Sequence, residues 1–356
     1  MNNIKKIQEK LIEKNLDAVL VTDEKNQRYA TGFPFTDGAV IVARSAAWLI
    51  TDSRYIEAAT NTAACCCNVQ MFDREHSRLS LIQAALKEAG VERLGAEEGK
   101  LSHAEYLGYE KALGMELLPA QAIFSELRAS KSEEEIGYLR EAQAISEKAL
   151  AEVLRIIKPG MTERQVAAEL VYHMLLNGSE GNSFDPIVIT GKKTSMPHGV
   201  PGDEVIHEGD FVTMDFGCLK HGYCSDMTRT VAVGYATDEM KHVYDTVLKA
   251  QLTAIAATKA GVPGKDIDGT ARKVIADAGY GEYFGHSYGH GVGLEIHEGP
   301  NMSFRYLKEI PAGAVTSAEP GIYLPGKFGV RIEDVTIVTA DGCEDITNLP
   351  KDLLII

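Results

Sequence analysis

Two aspartates in facing strand-like runs constrain this chain more than any other feature. The segment 210–233, DFVTMDFGCLKHGYCSDMTRTVAV, holds two alternating stretches on either side of a glycine-containing turn, which is the pattern of a β-hairpin. A turn centred on Lys220-His221 places Asp215 directly opposite Asp226, with Cβ atoms roughly 4.5–5.5 Å apart. Like charges that close destabilise a sheet unless a cation lies between them or one carboxyl keeps a proton. The hairpin therefore requires a metal ion or a shared proton.

The region downstream repeats the oddity. In 329–339, GVRIEDVTIVT, strand alternation puts Arg331, Glu333, Val335 and Ile337 on one face. Glu333 then points inward beside apolar neighbours, where a carboxylate costs several kcal/mol unless it is paired or metal-bound. Glu319 precedes Pro320-Gly321, so its backbone is held extended, as at a strand end. His290 lies in the glycine-rich run GHSYGHGVG, and His290 and His297 are an odd number of residues apart. A regular strand would face them oppositely, and the glycines can supply the bulge that reconciles them. Each residue alone has a plain explanation as an ion-pair partner or a loop histidine. Together, four carboxylates and one imidazole form the hard donor set that two closely spaced divalent ions require. That set points to manganese or cobalt ahead of a structural zinc site, which prefers thiolates.

The chain has 356 residues, enough for two domains. Its first part alternates helical and strand patterns, with strands at 18–21, 39–42 and 48–50, helices at 54–63, 77–89 and 103–113, and turns between. This reads as a small α/β domain, residues 1–126, whose acidic and polar residues form a solvated face. The second domain, 127–356, opens where Ser132 and Glu135 form a capping box. The helix they start runs to about Lys158, ahead of Pro159-Gly160, and Thr162 with Gln165 opens the next. A shift of 101 residues carries Lys158 onto Lys259, Gly160 onto Gly261, Val166 onto Ile267 and Gly178 onto Gly279. The second domain is thus expected to contain two related halves, each with paired helices and strands.

Acidic residues outnumber basic ones, 51 to 36, giving a net charge of −15. That argues against a nucleic-acid partner, which demands clustered Lys and Arg. No apolar run reaches 18 residues, and the N-terminal stretch reads as a charged amphipathic helix, so no membrane partner and a cytoplasmic setting are expected. The run Cys65-Cys66-Cys67 lacks metal-site spacing and reads as small buried residues of a reduced intracellular protein.

The motifs Met214-Asp215-Phe216-Gly217, Ser225-Asp226-Met227-Thr228-Arg229-Thr230, Gly289-His290-Gly291-Val292-Gly293, Ala318-Glu319-Pro320-Gly321 and Arg331-Ile332-Glu333-Asp334 resemble the aminopeptidase P, prolidase and methionine aminopeptidase family. Tyr29-Ala30-Thr31-Gly32-Phe33 and Ile50-Thr51-Asp52-Ser53-Arg54-Tyr55 resemble the smaller domain of its two-domain members. The resemblance implies an α/β (α+β) chain with a pita-bread catalytic domain, and hydrolysis of the bond preceding proline by two divalent ions, manganese first, cobalt or zinc as alternatives. Asp215 would chelate one ion, Asp226 and Glu333 would bridge, and His290 and Glu319 would complete the other site. Glu319 would act as general base, and His198 and His297 would steady charge and shuttle protons. His286, Arg331, Phe184 and Ile296 would contact the peptide, although Arg331 could instead neutralise Glu333. A homodimer is the family expectation. Where many prolidases carry an arginine for the dipeptide carboxylate, this chain has Asn301; a neutral amide forms no charge-assisted pair. Aminopeptidase P activity on longer peptides is therefore expected ahead of prolidase activity on Xaa-Pro dipeptides. A metal-free creatinase-like hydrolase or a non-catalytic binder fits the five intact ligand positions less well.

Overall fold

The computed structural model describes residues 2–356, and internal contacts divide the chain into Met1–Arg128 and Ala129–Ile356. No described helix is long and apolar enough to cross a membrane.

The first unit is built on strands β1 (Ala18–Val21), β2 (Gly38–Ala43), β3 (Ala47–Thr51), β4 (Asn68–Met71), β5 (Leu94–Ala96) and β6 (Leu117–Pro119). They form one sheet in the order β4-β3-β2-β1-β5-β6. Helices α1 (Ile4–Glu13), α2 (Glu24–Thr31), α3 (Ile56–Ala63), α4 (Arg78–Glu88), α5 (His103–Leu113) and α6 (Gln121–Arg128) connect and flank them. β1, β2 and β3 are buried at every position, and Trp48, Leu20, Ile41 and Ile82 share one core.

Three features depart from expectation. Of Cys65-Cys66-Cys67, expected to be buried, only Cys67 is, while Cys65 is exposed. The stretch read as a turn before β2 contains α2, capped by Asp23, which accepts from the Asn26 amide, and stopped by Gly32 at φ +75°. Its buried residues are Asn26, Gln27, Tyr29, Ala30 and Thr31, a largely polar set that leaves no apolar period to read. Nor is the acidic set wholly solvated: Glu97 is fully buried. Its carboxylate accepts from the amides of Thr22 (2.7 Å) and Asp23 (3.0 Å) and from Asn26 Nδ2 (2.6 Å), stabilising the start of α2.

The second unit contains helices α7 (Glu133–Ile156), α8 (Glu163–Leu176), α9 (Asp238–Ala257) and α10 (Gly264–Asp277). The 101-residue shift carries α8 onto α10 end for end. The matched glycines terminate or separate these helices in left-handed conformations, with φ +91° at Gly160, +82° at Gly261, +95° at Gly178 and +89° at Gly279. The repeat thus preserves positions where a side chain would be strained.

Its strands are β7 (Gly181–Asn182), β8 (Ile187–Thr190), β9 (Phe211–Phe216), β10 (Cys218–Lys220), β11 (Tyr223–Cys224), β12 (Met227–Ala232), β13 (Gly289–Gly291), β14 (Glu298–Met302), β15 (Val315–Ala318), β16 (Gly321–Leu324), β17 (Phe328–Arg331), β18 (Asp334–Val338) and β19 (Cys343–Asp345). They pair in the orders β12-β9-β8, β14-β13-β15-β18-β19, β16-β17 and β11-β10-β7. α7 and α8 share a core with the first group through Ala142, Leu150, Val166 and Leu170 against Val188, Val212 and Val231. α9 and α10 do the same for the later strands through Val247, Ala250 and Ala271 against Ala318, Ile322 and Ile332.

The hairpin forms in a register displaced by two residues. Phe216 pairs with Met227 and Leu219 with Cys224, so the turn lies at His221-Gly222. Both turn residues are left-handed, at φ +50° and +73°, as the two-residue loop matching strand twist requires. Asp215 therefore pairs with Thr228, and Asp226 falls opposite Gly217, diagonal to Asp215. Because side chains alternate with period two, this displacement leaves both aspartates on the same face. The strand expected over 329–339 is also broken: β17 pairs with β16, while β18 pairs with β15 and β19. Glu333 lies at the break, bridged to Thr228.

Candidate active site

A cavity of about 550 Å³ opens in the second unit. Phe184, His198, Asp215, Asp226, His286, His290, Ile296, His297, Glu319, Arg331 and Glu333 all line it, as does Asn301. The structure thus gathers every site residue expected from the sequence. The floor comes from strand ends: Asp215 from β9, Asp226 from the approach to β12, His290 from β13, Glu319 from beyond β15, and Glu333 from the break before β18. Glycine makes the close strand approach possible. A Cβ on Gly217 would lie 1.9 Å from the Ser225 carbonyl oxygen, and one on Gly289 would lie 2.1 Å from that of Ser317.

Donor atoms of Asp226, His290 and Glu333 lie within 4.8 Å of one another. His290 Nε2 is 3.2 Å from Glu319 Oε1 and 3.5 Å from Asp226 Oδ2. Burial opposes a charge on His290, but the bond to Glu319 and the charges of Glu319 and Asp226 raise its pKa to about 9. Burial likewise opposes the Glu319 charge, yet the His290 bond carries its pKa down to about 2. The remaining carboxyls respond the other way. Burial, then repulsion from the other acids, pushes Glu333 well above the carboxylate range. Asp226 also rises far above it through burial, with only partial relief from His290. Ser317 supports the floor, accepting from the His290 amide and donating to Glu319 Oε1, each at 3.0 Å.

Arg331 does not neutralise Glu333 by direct pairing. Its Nη2 donates to Asp215 Oδ2 at 2.5 Å, Nε to Thr228 Oγ1 at 3.0 Å, and Nη1 to the Tyr323 hydroxyl at 2.9 Å. Thr228 in turn donates to Glu333 Oε2 at 2.7 Å, and Tyr323 meets His286 Nε2 at 2.8 Å. Thr228, Tyr323 and Ser317 escape the sequence reading. Thr228 had a signal, since it shares a strand face with Asp226 two residues before it. Tyr323 and Ser317 had none, because their roles depend on partners in other strands.

The upper wall holds the solvent-facing groups. His198 and His297 are exposed, and Phe184 and Ile296 are half-buried. The rings of His290 and His297 pack edge to face, with centroids 4.1 Å apart. They lie on adjoining chain segments, and the irregularity that brings them together falls between Gly289 and Gly291. Partial desolvation, then the charge of His290, lowers the His297 pKa, and burial lowers that of His286.

The donors fit divalent cations. Asp215 Oδ1 is buried without a hydrogen-bond partner, although a carboxylate oxygen out of water requires a proton, donor or cation. Asp226 and Glu333 hold charge there only if a cation offsets burial and repulsion. The set is oxygen-rich with one imidazole and no thiolate, which suits hard ions.

A model of metallopeptidase family M24 matches residues 137–340, and one of the creatinase/prolidase N-terminal domain matches residues 3–130. The chain is 36% identical over 353 residues to the Xaa-Pro dipeptidase of Pyrococcus horikoshii, covering 99% of this chain and 98% of that one. Among solved structures, an Xaa-Pro dipeptidase from Bacillus anthracis is 41% identical with a TM-score of 0.95, covering 99% of each chain. An X-Pro aminopeptidase from Thermotoga maritima is 37% identical with a TM-score of 0.92, covering 98% of this chain and 99% of that one.

Proposed function

The chain belongs to metallopeptidase family M24, with a creatinase/prolidase-type domain ahead of a pita-bread catalytic domain, and from this we propose that it hydrolyses the peptide bond preceding proline, with Xaa-Pro dipeptides as leading substrates. The observation that carries the chemistry is the convergence of Asp226, His290 and Glu333, with Asp215 and Glu319 beside them, on one cavity. These five residues would hold two divalent cations, manganese first and cobalt or zinc as alternatives. When bound, such a pair supplies acidified water and a Lewis acid for the scissile carbonyl.

The chain's own groups divide the remaining work. Glu319, kept ionised by His290, would take a proton and pass it to the proline nitrogen. His297, with its lowered pKa, is neutral near pH 7 and can hold a proton transiently, with His198, which also lines the cavity, as second donor. Arg331 fixes Asp215 Oδ2 and leaves Oδ1 without a hydrogen-bond partner. Phe184 and Ile296 offer apolar surface for a proline ring, and His286, braced by Tyr323, faces the peptide.

Dipeptides lead because the relatives at 36% and 41% identity are Xaa-Pro dipeptidases. A second reading, aminopeptidase activity on longer peptides, is favoured by Asn301, a neutral exposed residue lining the cavity, and by the likeness to the Thermotoga maritima aminopeptidase. Asn301 cannot form an ion pair with a dipeptide carboxylate. The deciding experiment measures kcat/KM for an Xaa-Pro dipeptide and the matching Xaa-Pro-Xaa tripeptide on the manganese-loaded protein and on Asn301→Arg. A higher value for the dipeptide supports the first reading. A wild-type preference for the tripeptide, narrowed in Asn301→Arg by up to roughly 1.5–3 kcal/mol, supports the second. No cleavage of either defeats both.

The same reading includes a cytoplasmic setting, supported by the thiol form of the described cysteines, which suits a reducing compartment. It also includes a homodimer and no nucleic-acid or membrane partner, the former of these absences supported by the net charge of −15.

A further inference from the structure

Next to His297 in the chain, Glu298 belongs to a buried ion pair that the proposed chemistry does not use. Lys131 Nζ is 2.8 Å from Glu298 Oε1, and the two side chains are only 1% and 6% exposed. Lys131 belongs to the segment just before α7, held in place by its amide bonding the Gly313 carbonyl at 2.8 Å and by Ser130 Oγ donating to the Ala312 carbonyl at 2.7 Å. Glu298 is the first residue of β14 and directly follows His297. Its second carboxylate oxygen accepts from the Glu295 amide at 3.2 Å. The carboxylate therefore ties together the short excursion from Gly293 to His297. Gly293 makes room for it, since a Cβ there would lie 2.2 Å from Glu298 Oε1.

His297 needs such help. It is exposed, and its ring lines the cavity. Its edge-to-face contact with His290 sets a distance but is too weak to fix the chain that carries it. A buried ion pair adds little net stability, because desolvation offsets most of the attraction, yet the two charges hold each other to one geometry. The consequence of such a pair is a fixed local geometry rather than a more stable fold.

We propose that the buried Lys131–Glu298 pair is a positioning device that holds the Gly293–His297 excursion so that His297 stays over the cavity beside His290. The proposal rests on the reading of His297 as a proton-handling group in peptide hydrolysis. Lys131 and Glu298 act through His297 and touch neither substrate nor metal.

The test is a double-mutant cycle on the full-length, manganese-loaded protein with an Xaa-Pro substrate. Lys131→Met is expected to lower kcat by roughly tenfold to a hundredfold, the scale of a small displacement of a catalytic group. KM should stay within about twofold and metal content should match wild type, while Lys131→Arg recovers most of the loss by retaining the charge. Amide hydrogen exchange across 293–299 should quicken by about tenfold or more in Lys131→Met, a readout independent of turnover. In the His297→Ala background, adding Lys131→Met should change kcat by less than about threefold. A purely structural pair predicts losses that multiply, and multiplied losses overturn the proposal. Should Lys131→Met be unfolded at the assay temperature, Glu298→Gln completes the same cycle and is judged by the same outcomes. Wild-type turnover in His297→Ala would remove both the His297 assignment and the anchor built on it. A normal loss there with multiplied losses in the double variant removes the anchor alone.

Discussion

Asp226 shares the cavity floor with His290 and Glu333, and burial makes its charge expensive without a cation. Asp226→Asn removes one of three donors that approach within 4.8 Å, so bound metal and turnover should fall together. Chelator treatment of the native protein should abolish hydrolysis, with manganese or cobalt restoring it. Full activity in protein shown by elemental analysis to be metal-free would end the metal reading. The same residues set a pH dependence. A group whose pKa is raised on folding stabilises the fold while it keeps its proton, and the contribution is lost as pH rises through the folded value. Asp226 and Glu333 are raised, as is His290, to about 9. Glu319, lowered to about 2 from an ordinary 4.5, has the opposite sign, but its contribution is already complete above 4.5. His286 and His297, both lowered from an ordinary 6.5, offset part of this below that value, so chelated protein should lose stability as pH climbs from about 6.5 to about 9, whereas the manganese-loaded protein should show a flatter profile. Urea midpoints at about pH 5, 7 and 9, with and without chelator, measure this; a flat chelated profile would contradict it.

At the scale of the element, the β9–β12 ladder depends on one residue without a side chain. Gly217 lies opposite Asp226, and an added Cβ would meet the Ser225 carbonyl at 1.9 Å and Ser183 Oγ at 2.4 Å. Gly217→Ala must push the strands apart where the two aspartates converge. It should destabilise the protein by about 1–3 kcal/mol, the usual range for overpacking, and weaken manganese binding as well. Gly108→Ala, on an α5 face with nothing near the new Cβ, should leave manganese affinity unchanged. Chemical denaturation and metal titration of both variants would decide the matter, and unchanged metal affinity in Gly217→Ala would show that the ladder tolerates the spread.

The whole molecule offers its own probe. The single tryptophan, Trp48, is buried in β3 of the first unit, while every candidate metal ligand lies in the second. Manganese that binds only the folded second unit stabilises it by mass action, about 2.7 kcal/mol at a hundred times Kd. A melting transition followed by circular dichroism should rise with manganese concentration, while the Trp48 fluorescence transition stays in place. Equal shifts in both would show that the two units unfold as one.

Much of this protein is legible in the chain itself wherever the governing interaction is local. Ser132 with Glu135 and Thr162 with Gln165 announce α7 and α8 because a cap is satisfied within three residues. The repeat at 101 residues survives through glycines that a left-handed backbone demands. Hairpin alternation puts Asp215 and Asp226 on one face, since a face depends only on parity, and the donor chemistry of the five candidate ligands depends only on residue type. Register lay outside that reach: the left-handed conformations of His221 and Gly222 chose the turn, and the ladder moved by two. α2 was hidden because its buried residues are mostly polar and its packing partners lie elsewhere in the chain. The partner of Arg331 is Asp215, 116 residues away, and that of Lys131 is Glu298, 167 residues away. Composition and spacing state what such side chains can pair with, but only the folded chain decides which partner arrives, because that choice is made by packing and desolvation over the whole unit.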